Sequence, residues 1–261
     1  MTWFAQSKAI DCYYAGDYSK AFELFKEAAE DGKTVSQNWL GFLYEFGQGV
    51  EQDYNKAMEW YMKAAKQNLA EAQYNIGDLY HEGKGVEQDY GKAFEWCMKA
   101  AKQNLTAAQN GIGVLHYYGQ GVEQDYNKAM EWYMKAAAQN YAEAQYNIGD
   151  LYREGKGVEQ DYNKAMEWYV KAAEQNHVEA QYKIGYMYRY GEGVEQDYSK
   201  AFEWYTKAAE QNDANAQCSI GCMYRDGRGV EQNYEKAKEW FSKAAEQGHS
   251  EAKEYFEKIS K

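Results

Sequence analysis

The sequence predicts an all-α solenoid of stacked helix pairs, and three observations predict it. Trp60, Trp96, Trp132, Trp168, Trp204 and Trp240 recur every 36 residues. A fixed period of roughly 20–50 residues marks a stacked repeat architecture rather than one globular core. The glycine pairs Gly47/Gly49, Gly83/Gly85, Gly119/Gly121, Gly155/Gly157, Gly191/Gly193 and Gly227/Gly229 keep the same period. The chain also has no proline, where average usage would supply on the order of 13. Proline breaks helix interiors, so its absence fits a chain that is helical almost throughout.

One repeat, residues 141–176, shows why each element forms. Ala144, Ile148, Leu151 and Tyr152 recur at steps of three and four residues and mark one face of a first helix. Gly149 lies on that face, although an interior helical glycine costs about 1 kcal/mol against alanine. Gly41, Gly77, Gly113, Gly149, Gly185 and Gly221 carry that cost in every repeat, which predicts close approach of a neighbouring helix. Gly155-Lys156-Gly157-Val158 stops the helix, because two glycines admit positive φ in a tight connection. Asp161 then caps a second helix, as Asp17, Asp53, Asp89, Asp125, Asp197 and Asn233 do elsewhere. Ala165, Trp168, Tyr169 and Ala172 form its apolar stripe. The helix ends at Asn176, in phase with Asn68, Asn104, Asn140 and Asn212 and with Gly32 and Gly248. Asn and Gly tolerate the left-handed C-cap.

Six such units fill residues 33–248. Residues 1–32 read as a related capping pair with a shorter Ala15-Gly16-Asp17 turn. Residues 249–261 read as a lone C-terminal capping helix, with Glu257 where the other first helices have glycine. Solenoid ends need such polar caps.

The phrase Gly155 to Val158, Asp161-Tyr162-Asn163-Lys164-Ala165 and Trp168-Tyr169-Val170-Lys171-Ala172-Ala173 resembles the Sel-one-like repeat, a relative of the tetratricopeptide repeat. Residues 1–32 look more like a tetratricopeptide unit. The family often has proline after Gly-Val, where this chain has Glu51, Glu87, Glu123, Glu159, Glu195 and Glu231. The glycines and caps remain, so the fold is not threatened. The resemblance implies a right-handed α-solenoid whose first helices line a concave groove, and an adaptor or scaffold role.

Composition narrows the function. A net charge of −12 opposes nucleic acid and anionic membranes. It permits basic protein partners, and it also serves plain solubility. Cys12, Cys97, Cys218 and Cys222 do not follow the period, so they are no per-repeat disulfide framework. A reducing, cytoplasmic setting is the simpler reading; a periplasmic or secreted one would need a leader removed. No apolar run approaches the length of a membrane span. The chain lacks a metalloprotease helix motif, a Walker loop and a Rossmann fingerprint, so no enzyme, cofactor or metal is expected. His116 replaces a recurring tyrosine and reads as a packed histidine. Cys97 stands in the tyrosine position of a second helix and reads as core. Cys218 and Cys222 lie one turn apart on one face, without the second ligand pair a metal site needs. Gly91, Cys97, Gly111 and His116 interrupt otherwise near-identical repeats; Glu71 to Tyr80 matches Glu143 to Tyr152 throughout.

The resemblance points to the groove-facing positions of the first helices as the partner site. They are Tyr74, Asp78 and His81 in the second repeat, Asn110 and Tyr117 in the third, and Tyr146, Asp150 and Arg153 in the fourth. Tyr182, Tyr186 and Arg189 in the fifth and Arg225 in the sixth complete them. These vary while Ala144, Ile148 and Gly149 barely change between repeats. Tyrosine and arginine are the usual hot-spot types. Arg153, Arg189 and Arg225 share one period, a basic line able to hold a carboxylate; the alternative is that they pair with local Asp and Glu. The leading expectation is a monomeric, non-catalytic scaffold that binds a protein or peptide, either basic or bearing a carboxylate. An immunity protein or inhibitor neutralising a toxin or enzyme is the second reading. A hydrolase of cell-wall or amide substrates ranks last.

Overall fold

The computed structural model describes residues 2–259; Met1, Ser260 and Lys261, which fall within the predicted terminal caps, lie outside them. The described residues form fifteen helices and no strand. They are α1 (Thr2–Tyr14), α2 (Tyr18–Glu30), α3 (Thr34–Phe46), α4 (Tyr54–Lys66), α5 (Ala70–Glu82), α6 (Tyr90–Lys102), α7 (Thr106–Tyr118) and α8 (Tyr126–Ala137). The rest are α9 (Ala142–Glu154), α10 (Tyr162–Ala173), α11 (Val178–Tyr190), α12 (Tyr198–Glu210), α13 (Ala214–Asp226), α14 (Tyr234–Glu246) and α15 (Ser250–Ile259). The chain divides into two compact units, Met1–Ala136 and Ala137–Lys261. In the first, α1 packs on α2, α2 on α3, and so on in chain order to α7. In the second the same order runs from α9 to α15. Within each of these runs a helix meets its sequence neighbours, as an all-α solenoid requires.

Local chemistry sets the helix ends. The Asp161 carboxylate accepts from the Lys164 backbone N–H at 3.0 Å, and the other six predicted caps do the same three residues on. First helices end on a left-handed glycine such as Gly155, φ 66°. The second loop glycine is there for space as well as φ: at Gly193 a Cβ would collide with Tyr162 of the preceding repeat. Asn68, Asn104, Asn140, Asn176 and Asn212 all take positive φ, as expected of C-caps.

The core explains the helical glycines. A Cβ on Gly149 would stand 2.6 Å from the Tyr169 ring, and one on Gly41 2.6 Å from Tyr61. The same ring-on-glycine contact joins Gly113 to Tyr133, Gly185 to Tyr205 and Gly221 to Phe241. Around it Ala165, Ala172, Ala180, Ile184 and Met187 are fully buried, with the tryptophan of the next second helix, Trp204, packed at the edge. Burial of Ile184 and of Met187 contributes about 1.5–3 kcal/mol each, and the alanines less. The tryptophans themselves are only half-buried, and a lysine three residues on covers each ring, as Lys171 covers Trp168 at 3.9 Å from the centroid. Trp60, Trp96, Trp204 and Trp240 each pack on the core of the preceding repeat and so join repeats.

One recurring feature escaped the sequence reading. Gln73, Gln145, Gln181 and Gln217 are buried. Their amide oxygens accept from Gln103, Gln175, Gln211 and Gln247 at 2.8, 2.8, 2.9 and 2.8 Å. A buried amide left unpaired is costly, so these pairs lock the first helix of a repeat to the C-terminal end of its own second helix. Their invariance at the period was the available signal.

Candidate functional site

In the first unit, four of the predicted residues come together. Tyr74, Asp78 and His81 on α5 and Asn110 on α7 line one cavity of about 160 Å³. Gly77, Ala93, Cys97 and Leu115 supply its deeper wall, and Gly111 and Val114 complete the α7 side. Cys97 and Gly111 were visible in the sequence only as irregularities. Together they make the space: Cys97 stands where Tyr61, Tyr133, Tyr169 and Tyr205 stand in other repeats, and Gly111 where Asn75 and Asn147 stand. The Cys97 thiol is pushed up to about 12 by burial, so at neutral pH it is an inert packing group, not a nucleophile.

Asp78 is the charged group of this cavity. No described side chain donates a hydrogen bond to it. Burial, then the neighbouring Glu82 carboxylate, raises its pKa, while His81 and Lys84 oppose the rise. His81 lies with its Nε2 3.1 Å from Gln120 Oε1 and its ring edge-on to Tyr90. Tyr117 is elsewhere: its ring packs edge-on against Tyr118 and Tyr126 in the last turn of α7.

In the preceding repeat Phe42 holds the position of Asp78, and the second-helix tyrosine meets a different carboxylate, one turn further on. The Tyr61 hydroxyl donates to Glu45 at 2.6 Å, and Glu45 is only 6% exposed. Burial raises the Glu45 pKa, and the tyrosine hydrogen bond pulls against it.

In the second unit the remaining predicted residues form local networks. The Tyr169 hydroxyl donates to Asp150 at 2.6 Å, and Tyr146 bonds the same carboxylate. Arg153 Nε lies 3.7 Å from Asp150, and its other end bonds Glu154 at 3.1 Å. The Tyr146 ring stacks on His177 at 5.0 Å. Tyr182 packs against Tyr205 at 5.5 Å, and Tyr186 against Tyr190 at 4.4 Å. Tyr186 occupies the position of Asp150 one repeat on, so Tyr205 has no carboxylate opposite it. Its buried hydroxyl faces Arg189 without hydrogen-bond geometry. Arg225 makes a two-point contact with Asp226 at 2.7 and 3.2 Å. Arg153 and Arg225 are therefore met by carboxylates of their own repeats, and of the expected basic line only Arg189 forms no ion pair among the described residues. A second cavity, about 220 Å³, is lined by Tyr182, Arg189, Cys218, Cys222 and Tyr255 among others. Hydrogen bonding with Cys218 holds the Cys222 thiol below the usual thiol range, with burial opposing it.

No helix among the described residues is long and apolar enough to cross a membrane. No group of three or more His, Cys, Asp or Glu among them is arranged to hold a metal ion.

Comparison with known proteins gives the family. No curated protein matches the chain. A crystal structure of a protective antigen from uropathogenic Escherichia coli strains, displaying an SLR fold, is 40% identical over 91% of this chain, with a TM-score of 0.80. The match covers 51% of the antigen, so this chain spans about half its length. A Sel1 repeat protein from Oxalobacter formigenes is 35% identical, with a TM-score of 0.86 over 92% of this chain and 99% of that one. An immunity protein from Pseudomonas aeruginosa shares the fold at 22% identity, with a TM-score of 0.57 over 78% of this chain and 81% of that one. The Sel1 repeat model matches residues 8–33, 34–69, 70–105, 106–141, 142–177, 178–213 and 214–249. With that period, these caps and these glycine contacts, the chain belongs to the Sel1 repeat family.

Proposed function

We propose that this protein is a non-catalytic interaction scaffold, a monomer of a reducing compartment, whose first helices bind a protein or peptide partner. Sel1 repeat proteins are in general binding scaffolds without catalysis. The observation that carries the reading is where variation falls. Ala144, Ile148 and Gly149 recur and are fully buried. The residues that change between repeats, Tyr74, Asp78, His81 and Asn110, line an open cavity between α5 and α7. Stacking explains the first set; it does not explain the second. Tyrosine supplies both area and a hydrogen bond at interfaces, which suits this face to a partner. The test is affinity capture from the native cell with the intact protein and with a His81→Glu, Tyr186→Ala variant. Binding of the captured partner should fall at least about tenfold, with the circular dichroism unchanged. Equal affinity for both proteins would remove the first-helix face from consideration.

A second reading, a dedicated inhibitor of a basic toxin, is favoured by the net charge of −12. It predicts a tight one-to-one complex that strengthens at low salt.

A further inference from the structure

The cavity at Cys97 has a template inside the same chain. Residues 71–80 and 143–152 are identical in sequence, so Asp78 and Asp150 occupy equivalent places on α5 and α9. In the later copy the second helix supplies Tyr169, whose ring lies over Gly149 and whose hydroxyl donates to Asp150 at 2.6 Å. In the earlier copy the second helix supplies Cys97 over Gly77. The acceptor is retained and the phenol is gone. A thiol cannot fill the space of a phenol ring, and the absence of a side chain from Gly111 on α7 keeps the space open on that side. The resulting cavity, about 160 Å³, is close to the roughly 150 Å³ at which an apolar protein cavity takes up benzene.

We infer that this cavity is a receptor for a tyrosine side chain of the partner, whose ring occupies the place of the missing phenol and whose hydroxyl donates to Asp78. The proposal rests on the interaction reading above and names the partner's anchor. Its chemistry is set by the lining. Gly77, Ala93, Leu115 and Val114 offer apolar surface to a ring. Asp78 offers an acceptor that no described side chain satisfies. Partial burial already disfavours its charge, and a phenol donor supplies a hydrogen bond to it as the ring displaces water from the cavity. Phenylalanine would fill the same space and leave the carboxylate unpaired, so the site selects tyrosine over phenylalanine. An inserted aromatic ring in a desolvated pocket is also how interface anchors commonly act.

The test uses the full chain and small probes. p-Cresol, the tyrosine side chain without its backbone, and toluene, the same ring without the hydroxyl, are titrated while the backbone amides of Gly77, Ala93 and Gly111 are followed by NMR. p-Cresol should shift these amides saturably and bind at least about tenfold more tightly than toluene. Asp78→Ala should abolish that preference. N-acetyltyrosinamide should bind and N-acetylphenylalaninamide should bind more weakly. Cys97→Tyr, which restores the internal phenol, should raise thermal stability, abolish p-cresol binding and weaken any captured partner. No saturable shift up to roughly 10 mM p-cresol, equal binding of p-cresol and toluene, or undiminished partner binding by Cys97→Tyr would each overturn the inference. Binding of p-cresol without N-acetyltyrosinamide would overturn its assignment to a partner's side chain. The probe comparison on the unmodified protein decides the matter whether or not Cys97→Tyr folds. It involves no partner, so its failure is distinct from failure of the scaffold reading, which the His81→Glu, Tyr186→Ala variant tests.

Discussion

A single tyrosine-to-carboxylate contact recurs with variations that shape this protein. Tyr61 satisfies Glu45, Tyr169 satisfies Asp150, and Cys97 leaves Asp78 without a donor. Glu45 shows the cost of burying the acceptor. Its pKa is raised by burial. A raised carboxylate stabilises the fold fully only below its unfolded pKa, and that contribution is lost as pH rises through the folded value. Glu45→Gln keeps an oxygen for the Tyr61 hydroxyl and removes the charge. It should therefore stabilise the protein at neutral pH, by on the order of 1 kcal/mol, and the gain should vanish below the ordinary carboxylate range. Urea unfolding of both proteins between pH 4 and pH 8 checks this; a gain that grows on acidification would contradict the buried charge. The sequence showed Glu45 and Asp78 as two among many carboxylates, because burial depends on helices distant in the chain.

Among the elements, the first helix is where local preference and packing conflict. Glycine at position 149 weakens α9 as a helix, yet Tyr169 of α10 fills the space a side chain would need. Gly111 of α7 has the same helical cost and no such neighbour: a Cβ there would meet only Tyr74, at an ordinary 3.6 Å. The two glycines should respond oppositely to alanine. Gly149→Ala should destabilise by about 1–3 kcal/mol through overpacking, whereas Gly111→Ala should stabilise by about 1 kcal/mol through helix propensity. Denaturant midpoints of the two variants measure both, and equal effects would show that the ring contact does not set the helix spacing. The period alone predicted the close approach at Gly149. It did not identify the ring responsible, nor that Gly111 lacks one.

At the scale of the whole molecule, charge and connectivity dominate. Packing runs between consecutive helices within each unit, so much of the stability is local to adjacent repeats. Lys+Arg number 29 against 41 Asp+Glu, and the excess negative charge repels itself across the surface. Raising the salt from about 10 mM to about 150 mM shortens the Debye length from roughly 30 Å to 8 Å. Thermal stability should then rise by a few degrees; an unchanged or lower midpoint would mean that local pairs such as Lys164–Asp161 already neutralise the surface.

The sequence by itself determined the helix pairs, their ends and the family. Caps, left-handed asparagines and glycine turns act over three or four residues, and such effects are written in the local order of the chain. It also marked the faces of the first helices, because the residues that vary there stand out against the period. Only the tertiary structure decided what those residues do. Arg153 and Arg225 are met by acidic residues of their own repeats, and the buried glutamines tie the two helices of one repeat together. Cys97, Gly111 and Asp78, carried by three different helices, meet at one cavity. Burial and donor supply are properties of packed neighbours, and those neighbours are set by the stacking of helices rather than by adjacency in the chain.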